Sequence, residues 1–314
     1  MPARGSATQR SGLFSRQQPG GAWAFVHTQD APNNVWFVGS AETYASDASG
    51  YGRNPDRPFA TLDYAVGYAD VDDGDTIYIL PMHTEDLDAD SAVDVDVSNL
   101  HIIGLGWGGN RPTFTASAIA GDFKLAASCG IIENLLFLSG IDATTGLLEV
   151  SSADWTIRNC EFRDSVDQAT DMVVLTDGSD RCHIHDCTFT MAAAAGANSA
   201  IAIVSSDDVH IHDCTIYGNF AVGAIDFRTT ASARANIHDM KIWTENAADI
   251  AIVDTITAST GFIGPNLFLM LQDNAANITE ACTGATFQYY APILVANLAG
   301  EQGMAIDITT STDA

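Results

Sequence analysis

Five of the eight histidines in this 314-residue chain fall between residues 183 and 238, and their spacing is regular. His183 and His185 recur 27 residues later as His210 and His212, and His238 follows 26 residues after that. Residues i and i+2 of a strand share a face. Strands stacked at the period of the repeat would therefore set His185, His212 and His238 in one outward column above Arg158, with His183 and His210 beside it. Two or three imidazoles so placed could bind Zn²⁺ or Ni²⁺. The chain shows no carboxylate or cysteine that would complete a site on that face. The stripe is therefore read as a solvated polar sheet face with incidental metal affinity, and no resident metal or cofactor is expected.

Other candidate groups are more scattered. The acidic run Glu85, Asp86, Asp88, Asp90, Asp94 and Asp96 has the composition of a Ca²⁺ loop. It lacks the central glycine and terminal glutamate of an EF-hand, so a solvated turn with weak Ca²⁺ affinity is expected. Glycoside hydrolysis needs two carboxyl groups about 5–9.5 Å apart. The outward acids on one strand column, Glu149 and Asp226, would lie three coils, or roughly 14 Å, apart. Asp207 and Asp208 are adjacent but abut a turn, and strand neighbours face opposite ways. The six cysteines form no CxxC pair; most sit at apolar positions, where a free thiol packs as a small hydrophobe.

The elements that position these groups come from a repeat. Ile102–Trp107, Ile132–Phe137, Ile157–Phe162, Ile184–Phe189, Ile211–Ile216 and Ile237–Ile242 carry one phrase, and a looser copy spans Ile263–Phe268. In each, isoleucine precedes a turn former, then an apolar or aromatic residue. A period of 25–30 residues marks a solenoid. Units this short, rich in Val, Ile, Thr and Phe with Asn or Asp at the bend, read as strand–turn–strand. The fold class is all-β: a right-handed parallel β-helix with an N-terminal capping helix and a non-repetitive C-terminal cap.

Aligning the copies assigns the columns. Ile157, Ile184, Ile211 and Ile237 stack inside, as do Cys160, Cys187, Cys214 and Met240. Asn159, Asp186, Asp213 and Asp239 take the bend. A further strand contributes Leu148/Val150, Val173/Leu175, Ile201/Ile203, Ile225/Phe227 and Ile250/Ile252. Asp154, Arg181, Asp208 and Arg234 alternate in sign along the outside, which fixes register more than it adds stability. The expected organisation is a basic arm at 1–20, strands, loop and capping helix at 21–72, coils at 73–272 and a cap or oligomer segment at 273–314. Thr61 is the expected N-cap of a helix near 60–70.

The balance of 13 basic to 40 acidic residues gives a net charge of −27, which disfavours nucleic acid and anionic lipid as partners and suits a saline or marine setting. Arg4, Arg10 and Arg16 leave the remainder at 10 basic to 40 acidic, or −30. No run of 18 apolar residues spans a membrane, and the polar Met1–Gly20 lacks a signal peptide's apolar core. Together with the free thiols, this suggests assembly in a reducing cytoplasm.

The stretch Gly52–Leu87, GRNPDRPFATLDYAVGYADVDDGDTIYILPMHTEDL, resembles the N-terminal cap and first coil of pectate-lyase-like β-helices, although Met82–His83 replaces the usual glycine at the turn. His101–Thr115 and Ile132–Phe137 are similar to β-helical virion proteins of tailed bacteriophages. That resemblance implies a surface-exposed structural component of the particle, often trimeric and related to tailspikes. It carries over no catalytic residues: the Gly-His-Gly and Arg-x-Lys of polygalacturonases are missing. The expected role is thus a non-enzymatic capsid decoration at the virion surface, partnered with itself and the major capsid protein. The alternative is a tailspike-like receptor-binding protein or polysaccharide lyase or hydrolase. Arg4, Arg10, Arg16, Trp23, Phe25, Tyr289, Tyr290 and Ile293 are candidate anchor or oligomer contacts. Tyr217 and Trp243, one coil apart, are candidates for a subunit or host-glycan contact.

Overall fold

The computed structural model describes residues 14–17, 23–25, 34–69, 74–141, 145–164, 169–191, 197–245, 250–271, 281–284, 286–297 and 302–304. They form a right-handed parallel β-helix of about eight turns. Three stacked sheets, of ten, ten and seven strands, make its walls. One wall, the histidine sheet, runs from Val35–Val38 and Thr76–Ile79 through Trp155–Arg158, His183–His185, His210–His212 and Ala235–His238 to Phe287–Tyr289. The phenylalanine sheet runs from Thr84–Leu87 through Glu161–Asp164, Thr188–Thr190 and Lys241–Thr244 to Ile293–Asn297, and Gln302–Met304 pairs antiparallel with its last parallel strand. The aliphatic sheet extends from Val93–Val95 to Ile252–Asp254.

The predicted inner columns are present. Ile157, Ile184, Ile211 and Ile237 are direct partners on successive strands, and the column continues through Ile132, Ile102 and Ile77 on one side and Ile263 on the other. All are fully buried. Phe137, Phe162 and Phe189 stack with ring centroids 4.9 and 4.7 Å apart and nearly parallel planes. Packing like on like follows from the 4.7–4.9 Å strand spacing, which matches the thickness of a ring or a branched side chain. Cys160, Cys187, Cys214 and Met240 are buried at the corner between these two sheets, and each thiol donates to a carbonyl two residues earlier.

The corner itself depends on the left-handed backbone region. Asn134, Asn159, Asp186, Asp213, Asp239 and Asn266 all have φ between 51° and 60°, a conformation that Asn and Asp tolerate better than other non-glycine residues. A second left-handed column precedes the histidine sheet and contains Asp154, Arg181, Asp208 and Arg234. The alternating charges pair there as expected: Arg181 grips both oxygens of Asp154, and Arg234 both oxygens of Asp208.

Three assignments shift in phase. Trp107 is not in the aromatic column; it is 83% exposed, and Phe114 pairs with Phe137 instead. The 3₁₀ turn Gly108–Asn110 lengthens that corner and displaces the tryptophan outward. Leu269, not Phe268, continues the column above Ile242, because the longer Gly264–Pro265–Asn266 corner moves the strand by one residue. Ile252 and Asp254, rather than Ile250 and Ile252, pair with Ile225 and Phe227.

Parallel pairing also extends beyond the expected coil limits, to Val35–Val38 at one end and to Phe287–Tyr289 and Ile293–Asn297 at the other. The N-terminal end is closed by a short helix, α1 (Leu62–Val66), whose N-cap is Thr61. Leu62, Ala65 and Val66 are buried beneath it. Glu85 accepts from the Leu62 N–H and contacts His83 Nε2, tying the helix to the first rung.

Candidate functional site

The outward face of the histidine sheet holds a tight imidazole cluster. His183 pairs with His210 in one column, and Arg158, His185, His212 and His238 follow one another in the next. Rings within a column are nearly parallel: the centroids of His183 and His210 are 4.7 Å apart, those of His185 and His212 5.1 Å, and those of His212 and His238 5.0 Å. Contacts also cross between columns. His183 Nε2 lies 2.6 Å from His212 Nε2, and His210 Nε2 lies 2.7 Å from His238 Nε2.

The expectation that no carboxylate would reach this face is corrected. Asp186, Asp213 and Asp239 place an Oδ2 at 2.7, 2.7 and 2.5 Å from Nδ1 of the histidine immediately before each. Strand alternation would send neighbouring side chains to opposite faces, but the left-handed residue breaks that alternation and turns its carboxylate back. Ionised carboxylates only accept hydrogen bonds, so each of these Nδ1 atoms carries hydrogen, and the neutral tautomer that satisfies the contact has its lone pair on Nε2. Burial, with the neighbouring imidazoles adding to it, pushes His183 down from 6.5 to about 4 and lowers His210. Those two rings are therefore neutral at neutral pH. Among the described residues, His183, His210 and His212 are the trio of His, Cys, Asp or Glu side chains whose ligand atoms converge, within 4.8 Å of one another.

A second feature lies on the outer face of the phenylalanine sheet. Tyr217 and Trp243 are partners on adjacent strands with rings edge to face at 5.6 Å. The Tyr217 hydroxyl donates to Glu245. Trp243, Phe268 and Leu294 are 45, 50 and 43% exposed, and Met270 is the strand partner of Trp243 one rung further on. An apolar row thus climbs the last rungs. Tyr290 is exposed and packs at a tilt against Phe262, ring centroids 5.5 Å apart, while Tyr289 is partly buried against the core. Ile293, a candidate surface contact, is instead buried as the partner of Leu267; its neighbour Leu294 faces out. Arg16, Trp23 and Phe25 lie on two short paired strands, Phe14–Gln17 and Trp23–Phe25, described as backbone only. Arg4 and Arg10 lie outside the described residues.

The acidic groups are largely engaged. Glu149 pairs with Lys124 Nζ at 3.0 Å. Asp226 was expected to face solvent, yet it is buried, because the outer face of the aliphatic sheet is covered around Ala202 and Ala224. Burial pushes its carboxyl up to about 6 despite Arg228 nearby, with Asp171 and Asp254 adding to the rise. Arg228 Nη2 binds Asp171, and its Nη1 lies 3.6 Å from Asp226. Asp180 and Asp207 each accept the backbone N–H of the equivalent residue one rung on, at 2.8 and 2.7 Å. That carboxylate ladder had no separate signature in the sequence.

Comparison of the chain with protein-family models, curated proteins and solved structures returns no match. The fold assignment therefore rests on the strand order and rung geometry alone.

Proposed function

We propose that this chain is a non-enzymatic structural protein, a rigid β-helical rod that projects from the surface of a bacteriophage particle as a head decoration. In this reading it assembles as a homotrimer and is fixed to the major capsid protein, or another virion protein, at one end. The observation that carries the reading is the exposed apolar row of Trp243, Phe268 and Leu294 on neighbouring strands of one wall of a strongly acidic chain. Apolar area concentrated on one wall of a regular rod suits side-by-side packing of identical rods about a common axis. The stacked interior suits a part that must remain rigid while exposed.

Light scattering tests the assembly. Three chains of 33.2 kDa are expected, and a Trp243→Ser/Phe268→Ser variant should fall to the single-chain mass. A single-chain mass for the unaltered protein sinks the trimer. Electron microscopy of the particle that carries this chain tests location, with a lattice position on the head expected.

The rival reading, a tailspike-like receptor-binding protein or depolymerase, gains support from the Tyr217–Trp243 pair, since an exposed aromatic beside a carboxylate can stack and hydrogen-bond a sugar. Against cleavage by the pair that Arg228 gathers, Asp171 and Asp226 are 2 and 1% exposed, out of reach of a polysaccharide. New reducing ends from a host polysaccharide incubated with the protein would decide for the rival, as would a position at the tail tip.

A further inference from the structure

We propose that His183, His210 and His212 form a binding site for one divalent transition-metal ion of the Zn²⁺, Co²⁺ or Ni²⁺ class, bridging two successive rungs of the solenoid. His183 comes from one rung and the other two from the next, so the ion would clamp the inter-rung step from outside. The site does not depend on the proposed role in a particle.

Two observations support the assignment. First, the ligand atoms already converge: all three pairs lie within 4.8 Å. Nitrogens at about 2.0–2.1 Å from a tetrahedral ion are about 3.4 Å apart. The His183–His212 contact of 2.6 Å must open and the widest pair must close, both by about an ångström of imidazole swing on a partly exposed face. Second, the cluster has the second shell that metal-bound imidazoles use. Asp213 holds His212 Nδ1–H at 2.7 Å, which fixes the ring's orientation and leaves Nε2 as the donor atom.

The proton balance is simple. In the metal-free cluster, His212 Nε2 carries no hydrogen, so the short contact requires His183 Nε2–H to donate to it. On binding, His183 moves that hydrogen to its own Nδ1 and offers Nε2 to the ion; His210, whose Nε2–H donates to His238 Nε2 by the same logic, shifts its hydrogen to Nδ1 likewise, so no net proton is released. Three neutral nitrogens leave a fourth position for water, since among the described residues no other His, Cys, Asp or Glu offers a ligand atom within that distance of all three.

The test uses the full chain without an affinity tag, washed with chelator and titrated with CoCl₂ at pH 7.5. The readouts are equilibrium dialysis with elemental analysis and the visible d–d bands that separate a four- or five-coordinate Co²⁺ from the aqua ion. The expected result is one Co²⁺ per chain, displaced by ZnCl₂. Uptake should be lost in His183→Gln/His210→Gln/His212→Gln, weakened about 10–100-fold in Asp213→Asn, and retained in His238→Gln. Circular dichroism of each variant must show the parent β-sheet spectrum, and His212→Gln alone serves if the triple variant fails to fold. Absence of saturable uptake, uptake unaffected by His212→Gln, or loss in His238→Gln equal to that in His212→Gln overturns the proposal.

Discussion

The inner and outer ladders of this solenoid are built from the same register but obey different rules. Inside, the columns repeat one residue type over several rungs, isoleucine on isoleucine, phenylalanine on phenylalanine and thiol on thiol, or exchange only apolar types, as in the aliphatic sheet. Outside, columns on the same rungs differ in character: the Arg181–Asp154 and Arg234–Asp208 pairs run beside the imidazole cluster, and an apolar row climbs another wall. The interior has one task, filling a lumen of constant cross-section at close packing. The exterior is under no such constraint, so what distinguishes this rod from another must be carried there. Stability and specificity are consequently separable, and the two ladders should respond to substitution on different scales.

The largest effect is expected inside. Phe162 is fully buried between the rings of Phe137 and Phe189. Phe162→Ala should cost about 3–5 kcal/mol, read as a lower urea midpoint, because neighbouring rungs held by their own ladders cannot collapse into the void. Thr188→Ala, on the exposed face of the next strand, should stay within about 0.5 kcal/mol. Equal losses at the two positions would erase the distinction between the ladders.

The corner comes next, because it belongs to both. Asn159 has φ 52°, and a β-carbon without a polar side chain is disfavoured there by about 1–2 kcal/mol. Asn159→Ala should therefore destabilise by about that amount, while Asn159→Gly should recover most of it. A glycine variant no better than the alanine one would show that the side-chain amide, not backbone conformation, holds the corner.

Much of the inner ladder was legible in the sequence for the reason it is stable: identical side chains at a fixed interval are both the signal and the packing. Phase was lost at Trp107 and Phe268, where a corner changed length, and again at Ile250, since the repeat specifies spacing within a strand but not the path between strands. The candidate site was half legible. His185, His212 and His238 were visible as a column, but Asp186, Asp213 and Asp239 were assigned only to the bend. Their second role needs the left-handed turn to swing an adjacent carboxylate onto the same face. The Arg228–Asp171 contact spans 57 residues and two rungs, beyond anything a single-rung alignment can show.

Acid should separate the ladders further. His183 titrates at about 4 in the fold against 6.5 normally, so between those values the unfolded chain binds a proton that the folded chain refuses. Stability from this group is therefore present above pH 6.5 and lost as pH falls toward 4. Asp122 and Asp226, raised by burial from 3.8 to about 6, act in the opposite sense: the folded state keeps their protons longer, and stability falls as pH rises from about 4 to 6. Asn236 already occupies the rung above His210, so asparagine fits this column. A His183→Asn/His210→Asn variant should melt progressively higher relative to the parent as pH drops from 7 to 4.5, in thermal scans at matched ionic strength. A difference independent of pH would mean that these imidazoles are not held neutral by the fold.

The smallest effect is expected at the charge ladder. Arg181 and Asp154 make a two-pronged pair on an exposed edge, where solvent screens the attraction and the ordered side chains lose entropy. A double-mutant cycle on Asp154→Ala and Arg181→Ala should return a coupling of about 0–1 kcal/mol that shrinks further in 1 M salt. The exchange Asp154→Arg/Arg181→Asp is the sharper experiment. It preserves the pair but sets the relocated carboxylate beside Asp208 one rung on, where the native order places opposite charges. If the ladder only decorates the surface, the exchange should be silent. If alternation specifies register, refolding yield should drop while the melting temperature of the folded fraction stays unchanged.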